Sequence, residues 1–203
     1  MQISMKEQII NLQKSNKTPT ICLPGCVKAL ENLFPNKFYI GGSFAYKSLL
    51  GLPIDQESDI DFFTNVQITR TGFLQILETL VFNHYAFTVD GIAEDAPNYD
   101  MVDIRKVVKL RFAAKFIYPD IEFVFLPEGT CIPSYLMGQQ ATSLSECYLK
   151  PDFSPKGFAA GSTVAFKDTQ RTKKITVNEE NKGTVQHLQK IANLCDEFGF
   201  TIK

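Results

Sequence analysis

Apolar positions change their period several times along this chain, and each change marks an element. Residues 3 to 14 carry Ile3, Met5, Ile9, Ile10 and Leu12 among Lys, Glu and Gln, which predicts a helix ending before Ser15-Asn16-Lys17. Pro19 and Pro24-Gly25 punctuate the next piece. Val27, Ala29, Leu30, Leu33 and Phe34 then give helical spacing from about Cys26 to Phe34, stopped by Pro35-Asn36. Phe38 to Ile40 reads as a short core strand, Phe44 to Leu50 as a helix ended by Gly51 and Pro53, and Ser58 to Phe63 as a second strand. Thr71 to Phe82 shows the clearest helical stripe, with Phe73, Ile76, Leu77, Leu80 and Val81 on one face and Thr69 or Thr71 available as a cap.

In the second half, Phe87-Thr88-Val89 suggests a strand, and Asp90 to Asp100 is polar and turn-rich. Val107 to Phe112 alternates, so Lys109 and Arg111 share a face opposite Val108, Leu110 and Phe112. Ile121 to Leu126 reads as a buried strand carrying one acid, Glu122. After Pro127 the texture loosens, with a helix predicted near Tyr135 to Thr142 and a distinct segment from Tyr148 to Phe153. Ser162 to Phe166 and Lys174 to Val177 read as two short strands around the polar link Lys167 to Lys173. A final helix runs from Gly183 to Phe198, with Val185, Leu188, Ile191, Ala192 and Cys195 expected inward and Gly199 at its end. The pattern is that of an α+β protein. Residues 1–127 form the expected core, and 128–203 an α/β extension packed on it or continuous with it.

Chemistry concentrates in two stretches. In Phe38-Tyr39-Ile40-Gly41-Gly42-Ser43 a strand meets a glycine turn that opens a helix. Glycine lets backbone approach a ligand closely, and the unpaired amides of a helix start favour an anion such as phosphate. In Ser58-Asp59-Ile60-Asp61-Phe62-Phe63 the alternation sets Asp59 and Asp61 on one face while Ile60 and Phe62 point the other way. Paired carboxylates facing a phosphate-binding turn make half of a magnesium site.

Together these residues resemble the signature of the nucleotidyltransferase superfamily with the polymerase-β-like fold, a mixed sheet flanked by helices. There a Gly-Gly/Ser turn precedes an apolar-acid-apolar-acid strand. The spacer here, residues 44 to 58, is longer than that family usually shows and implies a loop at Gly51 to Glu57. Asp55 and Glu57 are also two apart, but they follow a proline in polar company, so Asp59 and Asp61 are preferred. The resemblance implies catalytic, metal-holding roles for Asp59 and Asp61, and a third carboxylate on a neighbouring strand, for which Glu122 and Asp120 are the candidates, with Glu122 preferred. It implies two Mg2+ ions, with Mn2+ as the substitute, and binding of a nucleoside triphosphate such as ATP by Gly41, Gly42, Ser43, Lys109 and Arg111. Arg105 and Lys106 are weaker candidates for the same task.

The implied reaction is transfer of a nucleoside monophosphate to a hydroxyl acceptor with release of pyrophosphate. RNA or tRNA, a small molecule and a protein all remain open as acceptors, and a toxin-like transferase that modifies tRNA or protein is a further reading. A non-catalytic nucleotide- or protein-binding module on the same fold is the rival. The C-terminal texture is similar to that of small nucleotidyltransferases of phages and plasmids.

Composition narrows this only a little. The 203 residues are 21% charged and 44% apolar with a net charge of −1, so no basic excess marks a duplex nucleic-acid binder. Five cysteines, at 22, 26, 131, 147 and 195, form an odd, scattered set expected to stay reduced. Cys22 and Cys26 lack a second Cys or His pair at zinc spacing, and His84 and His187 are isolated. No apolar run reaches the roughly 20 residues of a membrane span, and Met1 to Lys6 lacks the apolar middle of a signal peptide. A bacterial or host-cell cytoplasm is therefore expected, without membrane partners.

Overall fold

The computed structural model describes residues 31–32, 34–54, 59–65, 87–94, 106–112, 121–138, 140–151, 158–180, 183 and 185–203, with 87–94 and 106–112 described by their backbone. The helices expected over 3–14 and 71–82, most of that over 26–34, and residues Cys22, Cys26, Asp55, Glu57, His84, Arg105 and Asp120 lie outside the described residues.

Among the described residues, seven strands form one mixed sheet: β1 (Tyr39–Gly41), β2 (Ile60–Thr64), β3 (Phe87–Glu94), β4 (Lys106–Phe112), β5 (Ile121–Phe125), β6 (Cys147–Pro151) and β7 (Phe158–Ser162). Their order is β3-β4-β5-β2-β1-β6-β7. β2 and β5 are parallel, and the other neighbours are antiparallel. Helices among the described residues include α1 (Gly42–Leu50), α2 (Ile132–Gly138), α3 (Val164–Thr172) and α4 (Val185–Phe198). A two-stranded parallel ribbon, β8 (Lys174–Ile175) with β9 (Thr201–Ile202), ties α3 to the segment after α4.

Strict alternation builds β2 and β6. β2 is buried at Ile60, Phe62 and Thr64 and only half-buried between them, and β6 repeats the pattern. Ile40, Ile60, Phe62, Phe123, Phe125, Cys147 and Leu149 join Phe44 and Ala45 of α1, Phe166 of α3, and Ile191 and Leu194 of α4 in the main core. Phe62 and Phe123 stack at 5.5 Å between ring centroids, and Phe38 meets both edge-on. The opposite face carries a smaller cluster, in which Ile132 and Leu136 of α2 pack with Val124 and Leu126.

Several elements differ from the sequence reading. β3 continues to Glu94, because Gly91 sits at a register shift that lets the strand carry on past Val89. The stretch predicted as a strand to Phe166 and a polar link is instead β7 followed by α3. Thr163 decides this: its hydroxyl accepts from Phe166 N at 3.1 Å and caps the helix, overriding the strand preference of Val164 and Phe166. The same hydroxyl donates to Glu146 Oε2 at 2.6 Å. The helix expected near Tyr135 to Thr142 starts earlier, at Ile132, and ends at Gly138. In α4 the buried face is Ile191 and Leu194, whereas Val185 is 85% exposed and Leu188 38%. The first turn of α4 therefore extends past the core it was expected to cover.

Candidate functional site

The glycine corner forms because β1 is three residues long and turns into α1 with no linker. Gly41 is the extended N-cap of α1, and Gly42, its first residue, has φ +64°, in the left-handed region that glycine alone enters at no cost. Leu136 and Phe63 close over Gly41 and leave no room for a side chain there. At the other end, Gly51 terminates the helix at φ 67°, its N–H bonding back to Lys47 and Ser48 carbonyls. As the N-cap, Gly41 has no side chain to cap α1, and no acid lies in the helix's first turn; the Asp61 carboxylate lies against its first residue instead.

The strand registers bring the predicted residues into one line. Gly41 pairs with Asp61, Asp61 with Glu122, Glu122 with Lys109, and Lys109 with Gly91. Directly opposed residues share a sheet face, so this row crosses the sheet from β1 to β3 on the face away from the main core. Asp61 is half-buried and its carboxylate lies directly against Gly42: a methyl group there would collide with Asp61 Oδ2. The missing side chain is the space the carboxylate occupies. Glu122 is buried, at 8% exposure, with the cationic Lys109 at the neighbouring register position. Arg111 stands two residues further along β4, on the same face.

Asp59 is half-buried and lies just before β2, outside the paired ladder. Ser43, half-buried, is the second residue of α1. Asp59, Asp61 and Glu122 are all engaged by other groups. Among the described residues, no three His, Cys, Asp or Glu side chains converge tightly enough to hold a metal by themselves. Thus the corner, Asp61 and Glu122 come together, Lys109 and Arg111 flank them, and Asp59 stands at the margin.

Sequence reasoning passed over Tyr39, Tyr148 and Lys150, which lie on the same face beside Gly41. Burial raises the Tyr39 phenol above its ordinary value, helped by Tyr148, Cys131 and Glu31. The alternation Tyr148-Leu149-Lys150 carried the signal for this group: read with period two, it sets a ring and a cation on one strand face.

No protein-family model and no curated protein matches this sequence. Solved structures do match. One described as a tRNA-processing enzyme in an apo form aligns with a TM-score of 0.56 at 12% identity, over 90% of this chain and 45% of its own. A tRNA nucleotidyltransferase complexed with a primer tRNA and an incoming ATP analog gives 0.53 at 12% identity, over 87% and 46%. A CCA-adding enzyme with CTP gives 0.50 at 12% identity, over 100% and 44%. The chain shares their fold. It spans less than half the length of these proteins. Among the described residues, no helix is long and apolar enough to cross a membrane.

Proposed function

We propose that this chain transfers a nucleoside monophosphate from a nucleoside triphosphate to a hydroxyl acceptor, releasing pyrophosphate. The observation that carries this reading is the row: Gly41, Asp61 and Glu122 side by side on one face, with the Asp61 carboxylate seated against Gly42. The fold shared with enzymes described with an ATP analog or CTP supports a nucleotide as donor.

The residues fit a hard divalent cation, Mg2+ or Mn2+. They offer carboxylate oxygens on adjacent strands, the hard oxygen donors that suit an ion taking its remaining ligands from water and substrate phosphates. Asp61 and Glu122, with Asp59, would hold two such ions. Bound there, the metal supplies charge stabilisation to the phosphoryl oxygens.

The chain's own groups do the rest. The amides of Gly42 and Ser43 and the Ser43 hydroxyl donate to the terminal phosphates at the helix start. Lys109 and Arg111 add positive charge from the far side of Glu122. The acceptor oxygen forms its bond to the α-phosphorus as the bond from that phosphorus to the pyrophosphate oxygen breaks, and the hydroxyl proton passes to the Glu122 carboxylate.

Asp61→Asn tests the reading. Incubated with Mg2+, α-labelled nucleoside triphosphates and a panel of acceptors, it should lose product formation by about three orders of magnitude, since several kcal/mol of charge stabilisation disappear. Its melting temperature should stay close to wild type, because Asp61 belongs to neither apolar cluster. Wild-type turnover in this variant would overturn the assignment. The rival, a non-catalytic nucleotide-binding module, draws on the lack of a closed acid triad among the described residues. It wins if nucleotide raises the melting temperature of the wild type while no acceptor yields product.

A further inference from the structure

The sheet ends at β7, and among the described residues no strand pairs with its outer border. Ala159 and Ala160, which point to opposite faces, are both exposed, unlike the alternating pattern of β2 and β6. The middle of β7 is thus open on both faces as well as along its border. Its last rung fixes where the backbone groups point. Thr163 N donates to Glu146 O at 3.1 Å, and in an antiparallel ladder bonded positions recur at every second residue. The pairs of Gly161 with Tyr148 and Ala159 with Lys150 are therefore the next bonded ones. Pro151, with no N–H to give, falls opposite Phe158 at an unbonded position, as this phase requires. The N–H and C=O groups of Phe158, Ala160 and Ser162 consequently point away from β6. Sheet edges of this kind are ordinarily blunted by a charge, a proline or a bulge. Phe158-Ala159-Ala160-Gly161-Ser162 contains neither charge nor proline, and its register with β6 is unbroken. Just past it, Val164 opens α3 at 75% exposure.

We propose that β7 is the two-fold interface of a homodimer, pairing antiparallel with β7 of a second copy. Centred on Ala160, this pairing sets Ala160 opposite Ala160 and Phe158 opposite Ser162 in both directions. All three outward-facing residues then meet outward-facing partners, with on the order of six inter-chain hydrogen bonds, two for each pair. Moving the register by two residues leaves only two such pairs within β7. The chemistry favours a copy over a foreign segment. Capture of a foreign strand draws its specificity from pockets for alternate side chains, and two alanines and a glycine form none. An uncharged strand also meets itself without repulsion. The two-fold brings the apolar ends together as well. Phe158 packs toward the main core, the side on which α3 lies. Phe158 of the partner subunit, opposite Ser162, therefore stands beside Val164, two residues further on. Neighbouring antiparallel strands are related by an axis perpendicular to the sheet, so the two sheets join into one and both rows of Gly41, Asp61 and Glu122 face the same side. With three strand spacings inside each copy and one between copies, the two β2 strands lie roughly 34 Å apart along the sheet. The pairing does not depend on the transfer chemistry.

Sedimentation velocity of the full chain over a concentration series reads the pairing directly. Five residues a side make a small interface, so the expected Kd is on the order of 10 µM, with twice the chain mass above it. Ala160→Pro removes an N–H that the ladder to β6 does not use, so the monomer keeps its strand while each copy loses a bond to the other. Its Kd should rise about ten-fold or more. Ala160→Lys and Ala160→Glu each set like charges against one another across the axis and should weaken pairing about five-fold. Because residue 160 opposes itself, an equal mixture of these two variants should pair more tightly than either alone. Ala160 is exposed, so the charged variants remain informative if Ala160→Pro loses fold. Three results would overturn the proposal: wild type that stays monomeric up to about 1 mM, dimers that all three variants leave intact, or a mixture of the charged variants no tighter than each by itself. The first would leave the edge to an extended segment of another protein.

Discussion

On one face of the sheet, Ile40, Ile60, Phe62, Phe123 and Leu149 are sealed completely beneath helices. On the other, the same strands present Gly41 and Glu122, both buried, and Asp61 and Tyr148, half-buried, with α2 packed on part of that face. Two adjacent residues of one strand thus serve opposite ends: Phe62 fixes where β2 lies, and Asp61 uses that fixed position. Carboxylates held in line need a rigid backing, since their own repulsion pushes them apart. The stacked rings of Phe62 and Phe123 lie directly behind the pair Asp61 and Glu122 and couple β2 to β5. The difference teaches that the aromatic face is what gives the acidic face its geometry.

That division of labour breaks most sharply at Phe123→Ala. Removing a fully buried ring that contacts Phe38, Phe62 and Phe125 should cost about 3–5 kcal/mol of stability, read by urea denaturation. Nucleotide response per folded molecule should fall as well, because β2 and β5 lose their common backing. An unchanged response would show that the acidic face holds its own geometry.

A smaller effect is expected at Gly42→Ala. Forcing an L-residue to φ +64° costs about 1–2 kcal/mol, and the new methyl group evicts the Asp61 carboxylate from its seat. In an Asp61→Ala background only the backbone cost should remain. Equal destabilisation in both backgrounds would argue against the seat.

The mildest effect concerns the outer layer of the sealed face. Burial, and secondarily Lys190, hold the His187 imidazole below its ordinary 6.5, so the unfolded chain takes up a proton that the folded chain resists. The stabilisation from keeping this ring neutral is complete above pH 6.5 and is lost as pH falls through the folded value. Thermal melts between pH 7 and pH 5 should therefore show a loss of stability that His187→Gln reduces, and a loss of equal size in His187→Gln would assign it elsewhere.

The sealed face was largely legible in the sequence, since alternation in β2 and β5 and the glycine corner are local signals. The helix of Val164–Thr172 was not, because β-prone residues at its start concealed a cap supplied by Thr163. Asp61 and Glu122 could be picked out individually, but their adjacency depends on the parallel pairing of strands about sixty residues apart, which no local pattern encodes. Tyr148 escaped notice for the same reason: it joins the row only through the pairing of β6 with β1. The start of α4 misled in the other direction, since Val185 and Leu188 carry helical spacing yet are exposed.

The strand order has one more consequence. The corner and the acids occupy the middle three strands, with the hairpin of β3 and β4 added on one side and that of β6 and β7 on the other. Each hairpin pairs with the centre along a single border, and its outer strand, β3 or β7, pairs with none of the middle three strands. A scaffold wired this way lends itself to diversification at the rims while the middle strands stay put.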